Sequence, residues 1–143
     1  MDRLLSYGVK FEVIRPGGPV RTVKETAALT GLPESSIIKT LVFISERGGV
    51  AVIIPGNRRA DPEKLAKIFG KVRLASAEEV LELTGFPLGG VPPFGHNLRT
   101  VVDSSLKPDD DVVGGGGDER TLIKVKVKDI IEVNRALVAD VSI

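Results

Sequence analysis

The chain has 143 residues, 42% hydrophobic and 27% charged, the length and make-up of one globular domain with a core of its own, so residues 1–143 are read as a single unit. It has no cysteine and a single histidine, which excludes disulfides, thiolate chemistry and a zinc site of the usual kind; neither a metal nor a cofactor is expected. With 20 basic and 19 acidic residues the formal charge is +1, too small for a general nucleic-acid footprint, so any RNA contact has to be local. No apolar run approaches the ~20 residues of a membrane span and no signal-peptide pattern opens the chain. A cytoplasmic protein with no membrane partner is expected.

In chain order, Met1 to Tyr7 reads as a short amphipathic helix closed by Gly8, and VKFEVI (9–14) alternates as a strand. RPGGP (15–19) is a turn. Thr22 opens a helix with Glu25 three residues later, a capping box, and Gly31 ends it. IIKTLVFIS (37–45) and VAVIIP (50–55) are buried strands joined by ERGG as a hairpin. Asp61-Pro62 caps a helix that stops at Gly70, and VRLA (72–75) is a short strand. Ser76 with Glu79 is a second capping box, for a helix ending near Gly85. After a long loop, TVVD (100–103), DVV (111–113) and TLIKVKV (121–127) are strands. A helix from about Lys128 to Asn134 and a strand near Leu137 to Val141 complete the chain. Seven or so strands, with hairpins mixed among helix crossovers, predict an α+β fold on a mixed sheet rather than a doubly wound parallel one.

Four features could carry chemistry. Lys39 sits inside the apolar strand IIKTLVF, on the face of Ile37 and Leu41. Either it faces a cavity with a partner, or it is an edge lysine that snorkels to water. The loop FPLGGVPPFGHN (86–97) is too apolar for a solvated linker and too rich in Gly and Pro for a helix. Gly89-Gly90 followed by Pro92-Pro93 can aim successive backbone N–H groups, with Val91, at an oxyanion or carbonyl; equally it can be a structural turn anchored by Phe86 and Phe94. His96 is either a base in that loop or an ordinary hydrogen-bonding histidine. Gly114 to Gly117 follow a strand, but no GxxxxGK[ST] or GxGxxG pattern surrounds them; they allow close approach of a ligand or of a second backbone. Thr22 and Asp103 rank lower, the first as a helix cap and the second as the end of a strand.

The order of these pieces is familiar. TVKETAALTG precedes IIKTLVF, GGVPPFGH follows about fifty positions later, and VVD and a glycine turn before TLIKV come last. The chain resembles the YbaK family, also called the prolyl-tRNA synthetase-associated editing domain, from about Val9 to Val133. The resemblance implies a barrel-like, mostly antiparallel mixed sheet flanked by helices. It implies hydrolysis of the ester between a wrong amino acid and its tRNA by a free-standing enzyme, with the tRNA acceptor end as partner and an aminoacyl-tRNA synthetase as a further one; it leaves the oligomeric state open. It implies that Lys39 faces the aminoacyl-adenosine end with Thr40 beside it, that Gly89 and Pro93 belong to a GxxxP loop bordering the carbonyl, and that Gly115 and Gly116 form the far wall. A pocket walled by Gly and Val suits alanine, serine or cysteine, for instance on a proline tRNA, and Arg58, Arg59, Lys64 and Lys67 are candidates to grip the acceptor end. The alternative is a non-catalytic module of the same fold that binds a tRNA end or a protein.

Overall fold

The computed structural model describes residues 2–143. Its elements are α1 (Asp2–Leu5), β1 (Glu12–Ile14), α2 (Val23–Thr30), a 3-10 turn (Glu34–Ser36), β2 (Ile38–Ser45), β3 (Gly48–Pro55), α3 (Pro62–Phe69), β4 (Val72–Leu74), α4 (Ala77–Thr84), β5 (Arg99–Asp103), β6 (Asp111–Gly115), β7 (Leu122–Lys126), α5 (Val127–Asn134) and β8 (Leu137–Ala139). The predicted hairpin is present, in register from Ile38 opposite Pro55 to Ser45 opposite Gly48. It forms the centre of a five-stranded sheet of order β4-β2-β3-β5-β8, in which β3–β5 and β5–β8 are parallel. An antiparallel sheet of order β1-β7-β6 is joined to it by one parallel bridge, Ile37 to Val113. The fold is α+β, as expected, with its strands divided between two sheets and no closed barrel among the described residues.

The sheet containing β3 is covered on both sides. Ile53 and Val102 on one face join Ile123 and Val125 of the small sheet in a shared core. Val50, Val52 and Ile54 on the other face pack with Leu65 and Phe69 of α3. A strand buried on both faces reads as an unbroken apolar run, which is why VAVIIP does not alternate. Burying side chains such as Leu65 stabilises the sheet–helix contact by roughly 1.5–3 kcal/mol each.

The predicted caps define the helices. Thr22 and Glu25 exchange side-chain and backbone hydrogen bonds of 3.1 Å each, and Ser76 and Glu79 do the same at 3.2 and 3.0 Å. Asp61 accepts from the Glu63 N–H at 3.0 Å, with Pro62 at the first helical position. Boundaries differ at both ends of the chain. Of the helix expected over 1–7, Met1 lies outside the described residues and the helical part is Asp2–Leu5. The first strand starts at Glu12 instead of Val9, since only Glu12–Ile14 have partners on β7. The last strand stops at Ala139, because the following residues turn away to pair with 59–61.

The loop from Gly85 to Asn97 is fixed from both flanks. Phe86 and Phe94 are buried, Phe94 meets Tyr7 and Phe11 edge-on, and the Tyr7 hydroxyl donates to Asn97 Oδ1 at 2.7 Å. The Arg3 guanidinium lies 4.4 Å over the Phe86 ring, and Asn134 Nδ2 donates to the Pro93 carbonyl at 2.8 Å. His96 is fully buried beneath this loop: its Nδ1 accepts from the Leu98 N–H at 3.1 Å, and Nε2 meets no partner at hydrogen-bond geometry. On the inner side the loop crosses the glycine run. The Val91 carbonyl lies 2.7 Å from where a Cβ on Gly115 would stand, and the Gly90 carbonyl accepts from the Gly117 N–H at 2.9 Å. What Gly115 admits is therefore a second backbone.

Two outcomes follow. In Gly115→Ala the new methyl meets a backbone carbonyl that cannot swing aside, which costs about 1–3 kcal/mol of stability. Equilibrium unfolding in urea measures it, and an unchanged midpoint contradicts the crossing. For His96, burial pulls the pKa down to about 4 from 6.5, against the opposing Pro93 carbonyl and with help from Arg3. Between those two values the unfolded chain binds a proton that the folded chain refuses. Stability therefore rises with pH across the window and falls by roughly 3 kcal/mol on descending through it. Urea midpoints of the native chain and His96→Gln between pH 7 and 4 test this; parallel pH profiles contradict it.

Candidate active site

Strand β2 is paired with β3 at every residue from Ile38 to Ser45. Its other side is paired only at the ends, with Val113 through Ile37 and with β4 through Phe43, Ile44 and Ser45. The Ala75 N–H donates to the Val42 carbonyl at 2.9 Å, so the Val42 main chain faces that outer side. Alternation along an antiparallel strand turns the main-chain N–H and C=O of Thr40 the same way. They face a gap with no strand in it. Helix α2 and the loop at 88–91 roof the gap and leave a cavity of about 430 Å³.

Seven of the residues picked out in the sequence meet in this cavity: Thr22, Lys39, Thr40, Gly89, Val91, Gly114 and Gly115. Its walls are otherwise mostly apolar, with Val20 and Leu122 on one side and Ala75 and Val80 on the other. Lys39 is half-buried and its Nζ donates to the Arg58 carbonyl at 2.8 Å. The lysine thus has a partner and a cavity, and is neither an edge lysine in water nor a fully buried one. Burial lowers its pKa below 10.5, the nearby Arg59 charge lowers it further, and Glu34 opposes. Above it, the Gly90 N–H closes a turn onto the Pro87 carbonyl at 2.9 Å. The Gly89 and Val91 N–H groups have no acceptor among the described residues. Gly89 holds φ at +84°, a conformation that side chains disfavour, and a Cβ there would stand 3.1 Å from the Arg21 carbonyl.

The other sequence candidates lie outside the lining. Gly90 supplies the turn and the bond to Gly117. Pro93 stands behind the loop, its ring 3.7 Å from where a Gly114 Cβ would be. The Gly116 N–H donates to the Thr121 carbonyl at 2.9 Å, which closes the β6–β7 turn. His96 is enclosed in the core under the loop. Asp103 is buried on β5, where it accepts from the Val141 N–H at 3.0 Å and from the Ser105 N–H and hydroxyl. Burial pushes its pKa up, but the bonds from Ser105 and Val141 outweigh this and hold the carboxyl below its usual value. The proposed basic grip is also changed. The Arg58 side chain donates to the Ser142 hydroxyl and carbonyl at 2.6 and 3.2 Å, and Lys64 donates to Asp140 and to the Ser142 carbonyl. Two of the four cations are thus engaged within the protein.

Arg21 and Lys24 line the cavity, with the exposed Leu74 and Leu88. Neither cation was singled out from the sequence, nor were the wall residues Thr26, Ala75 and Val80. Their only sequence signal is the position of α2 and α4 around the IIKTLVF strand. Among the lining hydroxyls, Thr22 accepts from the Glu25 N–H and Thr26 donates to the Thr22 carbonyl, so both serve the helix. No helix among the described residues is long and apolar enough to cross a membrane.

Comparison with known proteins bears on the fold and the family. A crystal structure of a hypothetical protein superposes with a TM-score of 0.90 at 42% identity, covering 99% of this chain and 97% of the other. The crystal structure of a putative trans-editing enzyme for prolyl tRNA synthetase gives 0.89 at 36% identity, covering 99% and 93%. A proline–tRNA ligase of Thermodesulfovibrio yellowstonii is 38% identical over 96 residues, 66% of this chain but only 17% of the ligase. The chain therefore corresponds to under a fifth of that ligase's length. The uncharacterised protein YwhH of Bacillus subtilis is 36% identical over 115 residues, 78% of this chain and 73% of its own. The profile of the aminoacyl-tRNA editing domain matches residues 18–133, and the chain belongs to that family.

Proposed function

We propose that this chain is a deacylase acting in trans, which hydrolyses the ester of a tRNA mischarged with a small amino acid, alanine, serine or cysteine, for example on a proline tRNA. The observation that carries the reading is that one cavity is lined by a half-buried lysine and by Gly89 and Val91, whose backbone N–H groups have no acceptor among the described residues. That is the equipment for stabilising an oxyanion, and it is built into the backbone before substrate arrives.

In this reading the amino acid enters the apolar end, between Val80 and Leu122, and the terminal ribose stays at the mouth near Lys39, Arg21 and Lys24. The carbonyl oxygen takes the Gly89 and Val91 N–H groups. Attack on the carbonyl carbon converts that oxygen to an oxyanion. When the attack is by water, collapse breaks the bond to the ribose oxygen, which takes the proton given up by the attacking water and leaves as the free hydroxyl, and the amino acid departs with a free carboxyl group. Lys39 stabilises negative charge on the ester or on the terminal nucleotide. The chain has no cysteine, its one histidine is enclosed in the core, and Thr22 and Thr26 are committed to the helix. With no thiol and no accessible imidazole to activate a protein hydroxyl such as that of Thr40, this reading takes the attacking group from solvent or from the substrate itself.

The physical need for such a site is plain. A synthetase discriminates one methylene by only about 1–3 kcal/mol, so small amino acids are mischarged and a second site must remove them. The near-neutral chain suits a partner gripped only at its acceptor end, and a prolyl-tRNA synthetase is the partner that would supply the charged tRNA.

The test is deacylation of tRNAs charged with alanine, serine, cysteine and proline. The native chain is expected to clear a small amino acid selectively, and Lys39→Ala to lose at least about tenfold in kcat/KM, the scale of removing one group that stabilises an oxyanion. Full activity in the variant contradicts the role of Lys39; no turnover with tRNA binding intact turns the reading to a binding module. The active form of Lys39 is the ammonium, and its pKa lies below 10.5. The Lys39-dependent part of the rate therefore falls as pH rises through that lowered value, and a part that persists above pH 10.5 contradicts it.

A further inference from the structure

Lys39 is held by a carbonyl, and the carbonyl is held by the segment 141–143 that follows β8. Its Nζ donates to the Arg58 main-chain oxygen at 2.8 Å, in the turn that follows β3. The Arg58 side chain reaches away from the cavity and donates from Nε to the Ser142 hydroxyl at 2.6 Å and from Nη2 to the Ser142 carbonyl at 3.2 Å. Ser142 is fully buried. The residues on either side of it are fastened as well. The Arg59 N–H donates to the Ile143 carbonyl at 2.9 Å, the Ile143 N–H returns to the Arg59 carbonyl at 2.8 Å, and the Asp61 N–H donates to Val141 at 2.8 Å. Lys64 Nζ adds a bond to the Ser142 carbonyl at 2.7 Å, and Asp103 accepts from the Val141 N–H. A turn of a few residues after a strand is ordinarily free to shift. This one is tied by backbone pairing and by a two-point guanidinium contact.

We infer that Ser142, acting through Arg58, is a positioning residue for Lys39: it fixes the carbonyl that aims the ammonium into the cavity. Lysine is a flexible stem with a point charge at its end, so where the charge sits depends on what its donors bind. Asp103 belongs to the same device, as the anchor of the segment that carries Ser142. Ser142 lies beyond residues 18–133, where the editing-domain profile matches, whereas Arg58 and Asp103 lie within it, so the device joins residues inside and outside that match.

The kinetic half of this inference rests on the deacylase reading; the structural half does not. Two variants test it, Ser142→Ala and Arg58→Ala, the second of which keeps the carbonyl and removes only its tether. The Lys39 side chain is followed by NMR in protein labelled at lysine Cε, without substrate, with Lys39→Arg to assign the signal. In the folded variants the Lys39 resonance moves towards those of exposed lysines, and kcat falls by about tenfold with KM within about twofold, as expected when a reacting group is displaced and binding is not. A Lys39 resonance that stays put in both folded variants overturns the inference. If the native chain deacylates no charged tRNA, the proposed function falls, and the resonance alone still decides whether Ser142 positions Lys39.

Discussion

Strand β2 has a partner at every residue on one side and only at its ends on the other, and the site depends on this interruption. A strand edge inside a protein leaves main-chain N–H and C=O groups unpaired, which is costly unless something else takes them. Here the unpaired stretch around Thr40 borders a cavity and is available to a ligand. The apolar residues on either side, Ile38 and Val42, keep β2 anchored in the core. Lys39 can be half-buried because it lies at this interruption, where its stem has a wall to run along and its charge has a carbonyl to meet.

The loop opposite is held differently. Its conformation is not stabilised by strand or helix pairing. Two phenylalanines sunk in the core, a histidine enclosed beneath it and close contact with Gly115 fix it instead. A preorganised donor costs nothing to reorient at the moment of reaction, and that is the benefit of a loop dense in glycine and proline. The same segment encloses His96, whose burial lowers its pKa to about 4 and so disfavours its protonated form. The one segment, 86–97, thus holds both the buried histidine and part of the cavity lining.

Local signals in the sequence were strong where one residue decides the structure. Thr22 with Glu25, Asp61 with Pro62 and Ser76 with Glu79 mark the starts of α2, α3 and α4, because caps are read over three or four residues. The β2–β3 hairpin was legible from composition and turn. What could not be read locally is which strands lie side by side. The parallel pairs β3–β5 and β5–β8 connect residues far apart in sequence, and nothing in RTVVD names its neighbour. The ends of β1 and β8 follow from pairing rather than propensity, so both are shorter than the spans expected from the sequence.

The candidate site divides along the same line. Lys39 and the Gly-Pro loop stood out because each is an odd residue type for its surroundings, and both reach the cavity. His96 stood out as the lone histidine and Asp103 only as the end of a strand; the structure encloses the first in the core and uses the second to hold Ser105 and Val141. An unusual residue marks a constraint, and only the fold tells whether the constraint is chemical or structural. The wall residues Ala75 and Val80 were invisible, since an apolar residue facing a cavity looks like one facing a core.

The most direct test of the account is whether the two free donors of the loop bind the carbonyl of a substrate. A stable mimic, alanine joined by an amide to the 3′ position of adenosine, can be titrated into nitrogen-labelled protein while the backbone amides are followed by NMR. The account predicts that the Gly89 and Val91 amide protons show the largest downfield shifts in the loop. If the mimic binds and those two amides do not move, the loop is not an oxyanion site and the mechanism drawn from it is wrong.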